Sequence, residues 1–275
     1  MRSSEQSRSE TKEPRELTSD ERRDLVSRGK QYHIACGPGD VGRYVFLPGD
    51  PGRVPSIAAH LDGAREIARN REYVTFTGSL AGVGVSVCST GIGAPSAAIA
   101  LEELAAIGAD TFIRVGKSGG LQADLPVGSI VIATGAVRDE GTSRAYLPLE
   151  FPAVADLAIV NALVEASSAL ELPFRAGIIE SKDAFYAEIR AESMPLADEL
   201  TRRWSAYRQA GVLASEMEAA ALFVIAAWKG LRAGCVVQVS DNQYAGHHLG
   251  PEVPMDDTIR VAVEAVRCLI RSDAV

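Results

Sequence analysis

The sequence lacks long apolar runs, and it contains little cysteine. Its apolar stretches are interrupted by Gly, Pro or charged residues before they reach the roughly 20 residues that a membrane helix needs, so we expect no membrane contact. The four cysteines, Cys36, Cys88, Cys235 and Cys268, are widely separated, which favours free thiols in the cytoplasm over a secreted disulfide framework. The first 30 residues also lack the apolar core of a signal peptide.

An excess of basic charge is also lacking. The chain carries 28 Lys and Arg against 36 Asp and Glu, which gives a formal net charge of −8. Because nucleic acids select basic surfaces, we expect no nucleic-acid partner. A small anionic ligand remains compatible with this charge, since a few arginines can converge locally.

What is present is an alternation of apolar strands and helical segments after a polar start. Residues 1–30 hold too few large apolar side chains to offset the entropy of ordering and predict a flexible tail. Residues 31–275 predict a single α/β domain, an αβα sandwich around a mixed central β-sheet. The predicted strands are Tyr44–Leu47, Tyr73–Leu80, Val83–Ser89, Thr111–Val115, Ser129–Thr134, Ala176–Glu180 and Cys235–Val239. One predicted helix follows the turn at 48–52 and ends at about Leu61, and a second begins near Pro95 and ends near Gly108. Three more span Val154–Leu170, about Glu216 to Lys229 and roughly Thr258–Arg271.

A glycine-rich segment, Gly116–Gly120, follows one predicted strand and fits two familiar motifs poorly. A P-loop would need glycine where Thr111 stands. The G-x-S-x-G pattern, with Asp241 and His247 as hydrolase partners, requires a helix directly after the serine, but the chain runs on into another strand. The segment therefore predicts a strand end where an anion can approach backbone amides.

Arg114 lies inside the apolar strand that leads into this segment. It predicts either a charge for that anion or a buried salt bridge with Asp110 or another acid, because an unpaired arginine there would be costly.

Five motifs occur in a set order and together resemble the nucleoside phosphorylase-I family. They are Gly49-Asp50-Pro51-Gly52-Arg53, Asn70-Arg71-Glu72-Tyr73, Cys88-Ser89-Thr90-Gly91-Ile92-Gly93, Arg114-Val115-Gly116 and Glu216-Met217-Glu218-Ala219-Ala220. The resemblance runs from about His33 to the C-terminus, and the segment 147–153 looks most like the uridine phosphorylase branch. It implies a pentosyltransferase that cleaves a ribonucleoside with inorganic phosphate, giving free base and ribose 1-phosphate without a cofactor. It also implies a homo-oligomer, a dimer or a hexamer, with shared active sites.

The resemblance assigns a role to individual residues. It implies a phosphate site of Gly49, Arg53, Thr90, Arg114 and Lys117, with Arg71 reaching the site of a neighbouring subunit. It implies a ribose site of Met217 and Glu218, with His33 again reaching a neighbour, and a base site of Phe185, Arg190, Glu216 and Asp241. Arg114 and Asp241 are the expected catalytic residues. Glu72, Ile92 and Ser96 match positions that hold a monovalent cation, such as potassium, in some relatives.

Each of these residues also has a simpler explanation. Arg53, Arg71 and His33 could be ordinary surface residues, and Phe185 could belong to the core. Glu216 could serve only the dipole of the following helix, and Asp241 could cap a turn with Asn242.

The chain departs from the uridine branch at the base. The Gln-x-Arg pair that reads uracil is replaced by Ile189 and Ala191, and Arg190 could substitute only with a local shift. Segment 239–242 instead resembles the purine branch, in which an aspartate, here Asp241, protonates N7. These changes favour a purine or unusual base, with uridine as the alternative.

Lys117 stands where the family has a small hydroxyl residue. It could strengthen anion binding, accept an extra substrate phosphate, or occupy the phosphate site itself. It therefore keeps open a nucleosidase or a nucleoside-binding protein.

Overall fold

The computed structural model describes residues 29–246 and 253–274. Nearly all of the predicted tail lies outside the described residues, as does His247 of the hydrolase alternative. Within the described part of the chain, no helix is both long and apolar enough to span a bilayer.

The centre of the described chain is one mixed sheet of ten strands. The strands are β1 Tyr44–Leu47, β2 Asp62–Asn70, β3 Tyr73–Leu80, β4 Val83–Cys88, β5 Thr111–Gly120, β6 Ile130–Asp139, β7 Ala153–Val154, β8 Phe174–Lys182, β9 Ala214–Glu216 and β10 Arg232–Asp241. Their order is β10-β6-β8-β9-β5-β1-β4-β3-β2, with β7 paired to β6. Because β5 also pairs with β10 in parallel, five of the strands close into a ring.

Helices cover both faces of this sheet. They are α1 Val54–Ala58, α2 Ala94–Ala106, α3 Thr142–Tyr146, α4 Leu157–Ala169, α5 Phe185–Ile189, α6 Ala197–Gln209, α7 Ala219–Lys229 and α8 Asp256–Asp273. Helices α2 and α7 bury their apolar sides with Val45 and Leu47 of β1, whereas α4 and α8 pack in a second core with Tyr44 and Phe46. Alternate residues of one strand thus face opposite cores, which confirms the predicted α/β class with a mixed central sheet.

The hairpin of β3 and β4 follows the sequence pattern closely. β3 has the predicted bounds, and β4 ends one residue early, at Cys88. The turn residues Ala81 and Gly82 have φ of 51° and 78°. Two left-handed residues make a turn whose twist matches the strands, so the turn prediction is confirmed.

Several predicted bounds were wrong. Val154 belongs to β7, and the helix begins only at Leu157, where the Asp156 side chain accepts a hydrogen bond from the Ile159 amide at 3.1 Å. Glu216 ends β9 instead of beginning a helix, since α7 starts at Ala219. Strand β5 continues to Gly120, so the glycine-rich segment is strand throughout and neither a P-loop nor a nucleophile elbow.

Two of the elements that escaped prediction bury little apolar surface. Strand β2 lies at the sheet edge, and its mostly polar, half-exposed sequence lacks the alternation of a half-buried strand. Helix α6 is polar on nearly every side, with Trp204 its one buried residue.

Candidate active site

A cavity of about 940 Å³ opens where several strands end. Residues at or just after the carboxyl ends of β1, β8, β9 and β10 line it, together with the second half of β5. Such a location is where open α/β sheets usually bind ligands. The predicted site residues that line it are Gly49, Arg53, Arg114, Lys117, Phe185, Glu216, Met217, Glu218 and Asp241, and of the predicted cation positions Glu72 and Ile92.

Arg114 is a buried cation of this cavity, with a side chain 5% exposed. Its Nε lies 2.6 Å from Oε2 of Glu216, and its Nη2 forms a salt bridge with Oε2 of Glu218. Burial alone would lower the pKa of the guanidinium, but the two carboxylates raise it above its usual value. The salt-bridge interpretation was therefore correct in kind but wrong about Asp110, which instead pairs with Arg43 at 2.7 Å.

The space around Arg114 is kept by two glycines. A Cβ on Gly116 would lie 2.9 Å from Nη2 of Arg114, so the absent side chain lets the guanidinium fold back over its own strand. A Cβ on Gly49 would lie 4.0 Å from Nη1 and 3.1 Å from the carbonyl oxygen of Gly91. The Nη1 edge of Arg114 therefore faces the Gly49 turn, where an anion can approach.

Glu216 is satisfied entirely by protein donors. Its carboxylate accepts hydrogen bonds from Nε of Arg114 at 2.6 Å, the amide of Glu218 at 2.9 Å and the amide of Ala219 at 3.0 Å, and from the Ser181 hydroxyl. Burial alone would raise the pKa of Glu216, but Arg114 and these hydrogen bonds lower it. The carboxylate thus fixes the start of α7 and the orientation of Arg114.

Glu218 is buried too, but it is less well compensated. Its Oε1 accepts a hydrogen bond from the Gly93 amide at 2.5 Å, while Oε2 pairs with Arg114. Burial raises the pKa of Glu218 to about 7, with a further rise from Glu216 and an opposing effect of Arg114. This carboxyl is therefore poised to accept or release a proton near neutral pH.

Two loops meet at the anion end of the cavity. The amide of Thr90 donates to the carbonyl of Pro48 at 2.9 Å, and the amide of Gly91 donates to the carbonyl of Gly49 at 2.9 Å. The Thr90 hydroxyl is buried and lies 3.0 Å from the carbonyl of Gly91, away from the lining of the cavity. These bonds hold the Gly49 turn beside Arg114.

Other predicted residues lie outside the cavity of their own chain. Arg71 is exposed at the turn between β2 and β3 with φ of 55°. Nδ1 of His33 lies 2.6 Å from Oε1 of Glu103 on α2. Arg190 is exposed beside the ring of Tyr186, at 5.3 Å. The positions of Arg71 and His33 are compatible with contacts to a neighbouring subunit, which stay predictions.

The predicted cation positions are adjacent. The Ser96 hydroxyl lies 3.2 Å from the carbonyl oxygen of Ile92, and a Cβ on Gly91 would lie 2.8 Å from Cγ of Glu72. Ile92 is 79% exposed. Binding of a cation there stays a prediction.

The opposite end of the cavity carries Phe185 and Asp241. Phe185 is 38% exposed and packs edge-on against Tyr186 at 5.3 Å. Asp241 follows a bulge in β10, and its Oδ1 lies 3.2 Å from the Ser240 hydroxyl. Burial raises the pKa of Asp241 above its usual value, and Glu188 adds to that rise. Ile189 lines this end, whereas Ala191 is buried in a small core beside Trp204.

The sequence analysis missed a buried ionic cluster at this end. Nζ of Lys182 lies 2.6 Å from Oε2 of Glu188 and donates to the Ser215 hydroxyl, which lies 2.6 Å from Oε2 of Glu180. Burial alone would lower the pKa of Lys182, but Glu188 and Glu180 raise it. Burial raises the pKa of Glu180 well above its usual range. The one signal in the sequence was Lys182, a lysine at the end of an apolar strand. The prediction selected nearby Phe185 and did not consider the lysine.

Comparison with known proteins agrees with this geometry. A family model described as the phosphorylase superfamily matches residues 43–272. The chain belongs to this family. The nucleoside phosphorylase-I resemblance seen in the motifs is thereby confirmed, and with it a pentosyltransferase that uses phosphate as co-substrate.

Relatives of this phosphorylase align over most of its length. It is 48% identical to a uridine phosphorylase of Treponema pallidum, over 91% of this chain and 98% of the relative. It is 48% identical to a uridine phosphorylase of Thermococcus kodakarensis, over 91% of both chains. A guanosine phosphorylase of Halorubrum lacusprofundi is 43% identical, over 87% of this chain and 99% of the relative. Relatives of similar identity thus differ in the base that their names specify.

Proposed function

We propose that the cavity cleaves a purine ribonucleoside with inorganic phosphate, giving the free base and ribose 1-phosphate. The observation that carries this proposal is that Arg114 and its partner Glu218 line one cavity together with the Gly49 turn and Asp241. In this proposal phosphate, sugar and base lie in that order along the cavity. Residues 31–275 form the catalytic domain in this proposal.

In the proposed reaction a phosphate oxygen forms a bond to C1′ while the bond from C1′ to the base nitrogen breaks. Arg53 and Arg114 hold the phosphate, with Lys117 beside them, and Arg71 of a neighbouring subunit completes the site. Glu218 accepts hydrogen bonds from the ribose hydroxyls, and Met217 packs beneath the sugar. Phe185 stacks on the base, and Asp241 protonates N7 as the electron pair moves onto the base.

The surroundings of Glu216 change its proposed contribution. Its carboxylate already accepts hydrogen bonds from Arg114, two backbone amides and a serine. We therefore assign it to holding Arg114 and the start of α7, and leave the base to Phe185 and Asp241.

Uridine is the second candidate, supported by 48% identity to two uridine phosphorylases. Against it stand Ile189 and Ala191, because neither side chain can form the hydrogen bonds that a buried uracil edge needs. Each unmatched polar group would cost about 1–3 kcal/mol. The raised pKa of Asp241 suits a base that must be protonated at a ring nitrogen.

Base release from a panel of nucleosides, measured with and without phosphate, tests the proposal. We expect purine release that depends on phosphate and yields ribose 1-phosphate. Cleavage at the same rate without phosphate would make the protein a nucleosidase. Tight binding with no product after long incubation would make it a binding protein.

We also propose that the working form is a homo-oligomer, a dimer or a hexamer built from dimers, located in the cytoplasm. The exposed Arg71 and the partly exposed His33 support sharing of sites between subunits. Potassium at Glu72, Ile92 and Ser96 is part of the same proposal. Sedimentation of the protein, with activity measured in potassium and in choline salts, tests both points.

A further inference from the structure

Two carboxylates converge at the base end of the cavity. Glu188 of α5 and Asp241 at the end of β10 both line it, and Glu188 is 8% exposed. A Cβ on Gly119 would lie 3.5 Å from Oε1 of Glu188 and 3.5 Å from Oδ2 of Asp241. The missing side chain at Gly119 therefore leaves open the space between the two acids.

The two oxygens of Glu188 have different surroundings. Oε2 lies 2.6 Å from Nζ of Lys182 and 3.1 Å from the Ser215 hydroxyl. Oε1 accepts no hydrogen bond from the residues that the structure describes, and it faces the Gly119 gap. Lys182 thus fixes the carboxylate by one oxygen and leaves the other for a ligand.

The two acids differ in the hydrogen bonds that they can make. A salt-bridged carboxylate such as Glu188 can only accept, whereas a protonated Asp241 can donate. The raised pKa of Asp241, caused by burial and by the charge of Glu188, favours that protonated form. When the surroundings of two neighbouring acids favour different protonation states, one acid can donate a hydrogen bond while the other accepts one.

A base that fits must therefore present an acceptor to Asp241 and donors to Glu188. Guanine presents N7 on one edge and N1–H with the exocyclic N2 amine on the next. Adenine, placed with N7 at Asp241, carries its N6 amine between the two acids and turns its unprotonated N1 towards Glu188, so an acceptor would face the carboxylate where guanine has the N1–H donor. Uracil has an N–H donor but no N7 and no exocyclic amine.

We propose that Glu188, positioned by Lys182, selects guanine-type 6-oxopurines by accepting hydrogen bonds from N1–H and the N2 amine. This inference rests on the proposed phosphorolysis and names its substrate class. It also explains how a base site without the Gln-x-Arg pair still meets a polar edge of the base.

The test compares Glu188→Gln with Glu180→Gln. Glu180 is the matched control, because it contacts the same Ser215 hydroxyl at 2.6 Å and is fully buried but does not line the cavity. Since burial raises the pKa of Glu180 well above its usual range, glutamine resembles the form that it already favours. The kcat/KM values for guanosine, inosine, adenosine and uridine are measured for each protein.

The wild-type protein should prefer guanosine, then inosine, over adenosine and uridine. E188Q should lower kcat/KM for guanosine about 10- to 100-fold, the usual effect of losing a hydrogen bond to a charged group. The kcat/KM of E188Q for adenosine should stay within a few-fold of the wild-type value. E180Q should leave the ratio of kcat/KM for guanosine to kcat/KM for adenosine unchanged. An unchanged ratio in folded E188Q, or a wild-type preference for adenosine or uridine, would overturn the inference.

One further measurement separates this inference from the proposed function. Calorimetry of free guanine and adenine with each protein reports base recognition even if no nucleoside is cleaved. If the wild type binds guanine in preference and E188Q does not, the inference stands although phosphorolysis fails. Glu188→Asp serves if E188Q does not fold, because its shorter side chain cannot hold Lys182 and also reach the base.

Discussion

Replacing Arg114 with methionine should show how strongly the cavity depends on one cation. The change keeps much of the side-chain volume but leaves Glu216 and Glu218 without their shared counterion, and their side chains are 0% and 5% exposed. Breaking a buried ion pair typically costs about 3–5 kcal/mol. Because one arginine serves two carboxylates here, we expect the upper end of that range. For a domain of this size, 5 kcal/mol corresponds to a fall in Tm of about 10–20 °C.

The loss should depend on pH. Without Arg114 the two carboxyls favour their neutral forms, so their pKa values in the folded protein rise above the unfolded values near 4.3. The folded protein then binds more protons than the unfolded chain between those values, and its stability falls as pH rises. The difference in Tm between Arg114→Met and wild type should therefore be smaller at pH 5 than at pH 8. Phosphorolysis should also fall by about 100- to 1,000-fold.

Arg43→Met is the matched control for the assay, which is thermal unfolding followed by circular dichroism. Arg43 also pairs with two acids, Asp110 at 2.7 Å and Asp273 at 3.5 Å, but its side chain is 47% exposed. An exposed pair contributes less than about 1 kcal/mol. Equal Tm losses for the two variants, with no dependence on pH, would refute the reasoning about the buried cluster.

Three further predictions concern single steps of the reaction. Glu218 must be ionised to accept from ribose, so kcat/KM should fall as pH drops through about 7, and Glu218→Gln should abolish that limb of the pH profile. Asp241→Asn should slow guanosine cleavage about 100- to 10,000-fold but slow 7-methylguanosine far less, because the methylated base already carries the positive charge; single-turnover rates measure both. Lys117→Ser should raise the KM for phosphate about 10-fold in steady-state kinetics, if the lysine helps to bind the anion.

Each prediction has an outcome that would contradict it. The acidic limb would belong to another group if it persisted in Glu218→Gln. Asp241 would not be the proton donor if both nucleosides slowed equally in Asp241→Asn. A lower KM for phosphate in Lys117→Ser would mean that the lysine occupies the phosphate site in the wild type.

The parts of the fold that sequence predicted are those in which local pattern and tertiary burial agree. Tyr73–Leu80 was found with its bounds because it is an apolar strand that leads into a tight turn. The edge strand Asp62–Asn70 was not predicted, because its side chains show no apolar period. It is stabilised by its pairing with the neighbouring strand Tyr73–Leu80. Val154 was placed in a helix because its pairing with Gly135 is not visible in the local sequence.

The candidate site divides in the same way. The glycine turns and arginines could be predicted from short motifs, because Gly49 and Arg53, like Arg114 and Gly116, stand within a few residues of each other. The partner of Arg114 could not, since Glu216 lies 102 residues away and reaches it only through the pairing of β5 with β9. Judged by sequence alone, Asp110 was an equally suitable salt-bridge partner for Arg114. Glu188 was not predicted as a site residue because Lys182, which forms a salt bridge with it, lies at the end of β8, whereas Glu188 lies in α5.

The charges around Arg114 explain why a lysine at position 117 is compatible with an anion site. Arg53, Arg114 and Lys117 are the cations that line the cavity near the Gly49 turn, and Asp50, Glu72, Glu216 and Glu218 are the carboxylates there. Among these described residues the cations do not outnumber the carboxylates, and Arg114 already pairs with two of them. Without Lys117, two cations would face four carboxylates, so the lysine brings the site closer to the charge that a phosphate dianion needs. In the proposed assembly Arg71 of a neighbouring subunit adds a further positive charge, so phosphate binding and assembly should strengthen each other.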